Sequence, residues 1–199
     1  MASERFRLAI ERFDAANAED PNHELVDGGL EPKELVYARR MTERLQYFCP
    51  GASEAVFLAA RSQHIRRWTR PRADYPTGRD GYRRWRTELG GFHAMTAAVI
   101  LRDVGYDSIT IGRVEALLRK ERLKADPEAQ LLEDIICLVF VEHYLGDFAP
   151  KHEEEKLLGV LRKTWRKMSE AGRKAALGLD LSPAVSSLLE RALHSSDSG

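Results

Sequence analysis

Cysteine is scarce in this chain: Cys49 and Cys137 are the only two in 199 residues. They lie far apart and no CxxC spacing occurs. A disulfide scaffold and a four-thiolate zinc site are both excluded, and the two read as free thiols of a reducing compartment. Long apolar runs are missing as well. The longest, "IICLVFV" from Ile135 to Val141, is too short to cross a bilayer. The amino-terminal stretch "MASERFRLAIERF" carries charges throughout, which a signal peptide does not. Nor does either sign of charge dominate: 31 Lys and Arg balance 31 Asp and Glu. Bulk charge therefore argues for neither nucleic acid nor a membrane as partner. No GxxxxGK[ST] phosphate loop, GxSxG elbow or HExxH metal helix appears; the nearest to the last is "HEEEK" at His152–Lys156, with one His only. The expectation is a cytoplasmic protein without a membrane partner. Its composition, 43% hydrophobic and 31% charged, suffices for a core.

Helical periods fill what is there. "SERFRLAIERFDAAN" follows an N-cap candidate at Ser3, Pro32 opens "KELVYARRMTERLQYF", and Ser53 precedes the next apolar period. A longer helix is expected from about Tyr82 to Val104, with a possible kink at Gly90 and Gly91. Asp126 and Pro127 cap "EAQLLEDIICLVFVEHYL", and three amphipathic segments follow between 152 and 193, before a frayed tail at 194–199. "AEDPNHELVDGGLEP" and "TRPRADYPTGRDG" read as loops. No alternating strand pattern stands out. The fold class is all-α: one domain over 1–199, a single-domain helical bundle.

Four ionisable residues interrupt apolar faces. Three-, four- and seven-residue spacing puts Glu34 with Tyr37, Ala38, Met41 and Leu45. It puts His64 with Phe57, Ala60 and Trp68, His93 with Leu89, Ala97 and Ile100, and Asp134 with Leu131, Leu138 and Val141. Burying such groups unpaired costs several kcal/mol each, by rough transfer values. Each can be satisfied by private hydrogen bonds. If the four converge, two imidazoles and two carboxylates make a metal or acid/base site, and that donor set suits Zn, Mn or Fe. Glu133 points about 100° away from Asp134. His143 faces the opposite side of its helix, and His23, His152 and His194 fall in loop or terminal settings.

Two resemblances follow from these segments. "ELVYARRM", "AARSQHIRRW", "FHAMTAAVILRDVGYD" and "LLEDIICL" resemble, over about 32–145, the His and Asp helices of the HD superfamily of metal-dependent phosphohydrolases. That likeness implies an HD-like core and one divalent metal held by His64, His93, Asp134 and Glu34. It departs from the pattern at Ile65, where the superfamily's metal-binding Asp would stand, and near Lys120, where two-metal branches carry a further His. "RFDAANAEDPN", "PKELVYARRM", "QHIRRW", "YRRWRTELGGFHA", "LEDIICLVFVEHY" and "LRKTWRKMS" resemble, along nearly the whole chain, the family called domain of unknown function 4202. That family implies no activity.

Basic residues crowd the same region. Arg61, Arg66, Arg67, Arg70, Arg72, Arg79, Arg83, Arg84 and Arg86 are offset between 61 and 86 only by Asp74 and Asp80, and Arg119 and Lys120 precede the Asp134 helix. Guanidinium forks recognise phosphate bidentately, and the interleaved Trp68, Tyr75, Tyr82 and Trp85 can stack a ring. The expectation is a metal-dependent hydrolase of a small phosphorylated, nucleotide-like anion. Glu34, His64, His93 and Asp134 would form the metal and catalytic set, and Arg66, Arg67, Arg70 and Lys120 would hold the substrate. The alternatives are an iron-dependent oxygenase in the same pocket, or a metal-free module binding an anion or RNA.

Overall fold

The computed structural model describes residues 3–123 and 125–194. They are all-α apart from one two-stranded hairpin. The chain divides into two compact units, with the boundary between Ala129 and Gln130.

The first unit opens with α1 (Glu4–Ala18), started by the Ser3 hydroxyl accepting from the Phe6 N–H at 3.1 Å. The segment expected to be a loop instead forms a hairpin, β1 (His23–Val26) against β2 (Gly29–Pro32), with Leu25 opposite Leu30. Its signal was "VDGG". Asp27 and Gly28 both take positive φ, 49° and 85°, which is the two-residue turn that matches strand twist. Four-residue strands with Leu25 and Leu30 exposed carry too little alternation to stand out as a period.

α2 (Lys33–Phe48), α3 (Glu54–Arg61), α4 (Gly78–Asp103) and α5 (Ser108–Leu118) complete this unit. α1 packs against α2, α3 and α4, and α5 against α3 and α4. Phe13, Met41, Leu45, Leu58, Leu101 and Leu117 are fully buried here. Arg61 closes the α1–α3 contact with a bidentate pair to Asp14, at 2.6 and 2.5 Å. α4 runs through Gly90 and Gly91 without a break, because Leu89, His93, Ala94 and Ala97 anchor it on both sides.

The second unit takes up α6 (Pro127–Val139), which begins in the first. Asp126 caps it, accepting from the Glu128 and Ala129 N–H groups at 3.0 and 3.3 Å. A π-helical turn at Phe140–Tyr144 leads into α7 (Leu145–Phe148), α8 (Glu154–Lys167), α9 (Glu170–Leu177) and α10 (Pro183–His194). α10 packs on α7 and α8 around Val141, Leu145, Leu157, Leu161, Val185 and Ala192. The frayed tail expected at 194–199 lies outside the described residues, save for the backbone of His194. Cys49 and Cys137 are free thiols. Among the described residues no helix is long and apolar enough to cross a membrane.

Candidate functional site

The site is built in the first unit from the start of α2, the turn after α3 and the middle of α4. Pro32 sets the entry to α2, and the Glu34 N–H donates to the buried Asp20 carboxylate at 3.0 Å. That bond fixes the first turn and directs the Glu34 side chain inward, where it is buried with Tyr37, Ala38, Met41 and Leu45.

His64 departs from expectation. α3 ends at Arg61 and residues 62–66 form tight turns, so His64 does not continue a helical stripe from Phe57 and Ala60 to Trp68. The Ser62 hydroxyl donates back to the Leu58 carbonyl at 2.7 Å. Arg66 adopts a left-handed backbone, φ 51°, with its N–H donating to the Asn17 side chain at 3.1 Å. The Ser62 back-bond bends the chain away from the helix, and the distant Asn17 side chain holds the turn in which it ends.

The turn brings His64 onto Glu34. The His64 Nδ1 lies 3.0 Å from Glu34 Oε2, and the ring stacks on Tyr37 at 3.8 Å between centroids. The nearer approach of the Arg67 guanidinium is to His64 Nε2, at 2.8 Å. Arginine only donates, so Nε2 is unprotonated and Nδ1–H donates to Glu34. Burial foremost, then the charges of Arg67, Arg86, Lys120 and Lys33, hold this imidazole well below its ordinary titration range. Glu34 moves the opposite way: burial pushes its carboxyl up, against the pull of Arg67, Lys33 and His93.

His93 follows from α4 and is only 3% exposed. Its Nδ1 lies 2.9 Å from the Ile65 carbonyl. A carbonyl only accepts, so His93 is also the Nδ1–H tautomer, and its Nε2 carries a bare lone pair. That Nε2 is buried without a partner among the described residues, as is Gln63 Oε1. An unsatisfied buried group costs about 1–3 kcal/mol. Burial first, then the neighbouring His64, lower the His93 pKa to about 3. The two rings stand 6.0 Å apart between centroids.

Both imidazoles and Gln63 line a cavity of about 440 Å³, whose other walls include Arg86, Arg119 and Lys120. Lys120 holds a left-handed backbone, φ 57°, an uncommon conformation for a lysine and one concentrated at functional sites. The Arg86 guanidinium makes no hydrogen bond or ion pair with the described residues, whereas Arg119 pairs with Glu115 at 2.8 Å.

The sequence-predicted residues thus part company. Glu34, His64, His93, Arg67 and Lys120 belong to one neighbourhood. Arg70 lies over the Phe92 ring at 5.1 Å and lines a separate recess. Arg66 has its charge taken up by Glu19, at 3.0 Å to both oxygens. Asp134 is in the second unit, where its carboxylate accepts from Gln130 Nε2 and from the N–H and hydroxyl of Ser169, at 3.0, 2.8 and 2.5 Å. Arg86, Arg119 and Gln63 were not singled out from sequence as ligand-holding residues. For Arg86 a signal existed: it precedes His93 by two helical turns and so shares its face.

Among the described residues no three His, Cys, Asp or Glu side chains are grouped to hold one ion. Asp134 is filled by its own neighbours, a guanidinium covers the His64 lone pair, and four cations surround that ring. As arranged, Glu34, His64 and His93 of the first unit do not fit a shared divalent metal.

Fold and site together define an all-α protein with a cationic, two-histidine pocket. Residues 7–189 match the family model described as a domain of unknown function, DUF4202, and the chain belongs to that family. No curated protein and no solved structure matches it. The HD likeness rests on the quoted residues alone.

Proposed function

We propose that the first unit is a hydrolase of small phosphorylated anions, and that the pocket of Arg86, Arg119, Lys120, His64 and His93 is its active site. The observation that carries this reading is the bare, buried lone pair of His93 Nε2 in a pocket walled by cations. Guanidinium and ammonium groups there neutralise a phosphoryl group and the charge that builds on it. His93, neutral throughout the neutral pH range, accepts a hydrogen bond from a water. The phosphoryl charge beside His93 raises its basicity, and as that water attacks phosphorus its proton passes to His93. The phosphorus–oxygen ester bond breaks, and the leaving oxygen is protonated by solvent. The Glu34–His64–Arg67 cluster positions the wall beside this lone pair and sets its electrostatic surroundings.

The test is phosphate release from a panel of phosphomonoesters and nucleotides, with the wild type beside His93→Gln and Arg86→Ala. The expected result is turnover of at least one class, reduced about 100-fold or more in His93→Gln, the usual weight of an acid/base group. In Arg86→Ala, KM should rise about tenfold, the effect of one lost charged hydrogen bond. Absence of turnover across the panel, or turnover unchanged in His93→Gln, rejects the reading.

A further inference from the structure

A second recess lies on the other side of the Glu34–His64–Arg67 cluster. Its volume is about 470 Å³, and it is an open recess bounded by the start of the hairpin at Asn22 and His23, the first turn of α2, the Arg67–Arg72 loop and Trp85 of α4. Glu34 and Arg67 line this recess, whereas His64, bonded to both, lines the first cavity. The cluster is therefore a partition with a face toward each space.

The chemistry of the recess differs from that of the first pocket. Trp68 and Trp85 both contribute to its wall. Trp85 is committed: its indole N–H donates to the Arg70 carbonyl at 2.9 Å, and the Arg67 guanidinium lies over its ring at 5.2 Å. Trp68 is half-buried and no ring or cation covers it among the described residues. Lys33 is exposed, and its ammonium makes no hydrogen bond or ion pair with the described residues. Arg70 is also exposed, and has an aromatic neighbour rather than a carboxylate. Arg72 is a structural member, donating to the carbonyls of Tyr75 and Pro76, each at 2.8 Å. An open indole beside two cations without carboxylate partners, at the positive end of a helix of 16 residues, selects a ligand with a flat ring and a negative group.

We infer that this recess is a second ligand site, taking an aromatic anion of the nucleoside monophosphate class, with the ring on Trp68 and the phosphate on Lys33 and Arg70. It stands independently of the hydrolysis proposed above. Occupancy also bears on the first pocket, because an anion beside Arg67 competes with His64 Nε2 for its guanidinium.

The experiment is a titration of the full chain with adenosine monophosphate, followed by tryptophan fluorescence. Ribose 5-phosphate and inorganic phosphate serve as ring-free comparators, and single-stranded oligouridylate as an extended one. Adenosine monophosphate should quench saturably and the ring-free anions should not. Trp68→Leu should remove the quench while Trp85 and Trp165 still report the folded protein. Lys33→Gln, an exposed change that threatens no packing, should weaken binding about tenfold, a typical loss for one charged contact. Arg86→Ala should leave this titration unchanged, which separates the recess from the first pocket. Quenching that survives both Trp68→Leu and Lys33→Gln, or that disappears in Arg86→Ala, overturns the assignment, as does no quench at all. Oligouridylate binding far more tightly than the mononucleotide, with a steep salt dependence, also overturns it in favour of a nucleic-acid surface.

Discussion

His93 and His64 each make the stability of this protein fall on acidification. Both are neutral in the folded chain well below the ordinary histidine range, His93 down to about 3. The unfolded chain protonates them near 6.5, so between about 6.5 and 3 it binds more protons than the native state. The contribution of these two imidazoles to stability is thus complete above about 6.5 and is lost as pH falls toward about 3. Glu34, with its carboxyl pushed up, works with the opposite sign and gains stability on acidification through its raised value. Thermal midpoints measured from pH 7.5 to 4 should therefore drop for the wild type and drop less for His93→Gln. A steeper fall in the variant contradicts the assignment of a buried neutral imidazole. Arg66→Ala is the contrasting case. Its pair with Glu19 is exposed, a contact of the kind worth about 0–1 kcal/mol. Turnover should be unaffected, and a lost turnover would return Arg66 to the substrate site.

Asp134 and Gly172 show how one element sets the role of a residue. The end of α8 and the start of α9 wrap the Asp134 carboxylate, with Ser169 capping α9 through the Gly172 N–H at 3.0 Å. A Cβ on Gly172 would stand 2.7 Å from the Asp134 carboxyl carbon, closer than real contacts come. Gly172→Ala should therefore destabilise by about 2 kcal/mol, the scale of an overpacked site. Asp134→Ala should cost about 3 kcal/mol by leaving the Ser169 N–H and its hydroxyl unpaired. Urea unfolding reads both. In each, turnover per folded molecule should stay near wild type. A variant of Asp134 that unfolds normally yet has lost turnover would place this carboxylate in the reaction instead.

The chain has no net charge, yet the two cavities of the first unit are lined by seven lysines and arginines and a single carboxylate, Glu34. Ligand binding there should weaken as ionic strength rises, since salt screens exposed charges over about 10 Å at 0.1 M. Affinity for inorganic phosphate, measured by calorimetry from about 0.05 to 0.5 M salt, should fall several-fold; no change would mean that the arginines do not hold the anion. Metal dependence is read on the same protein. Phosphate release should persist after dialysis against a chelator. Activity lost on chelation and restored by Fe, Mn or Zn would show that the cluster rearranges to take an ion.

The helices were legible because their signals are local. Caps at Ser3, Ser53 and Asp126, the proline at the head of α2, and the burial period through Glu34 and Met41 all depend on neighbours within a turn or two. The anomalous character of Glu34, His64 and His93 was legible for the same reason, as was family membership, which needs only the order of residues. Other features depended on contacts distant in sequence. The bond from His64 to Glu34 spans 30 positions, and that from His93 to the Ile65 carbonyl spans 28. Neither the end of α3 at Arg61 nor the left-handed Arg66 follows from periodicity; Asn17, 49 positions away, holds that turn. Asp134 has the same sequence signature as His93, a polar residue on an apolar face, but its partners are Gln130 and Ser169 rather than a cavity. An amphipathic pattern says that a side chain is buried. Packing between helices determines what meets it there, and whether a buried lone pair is satisfied or, like His93 Nε2, left open.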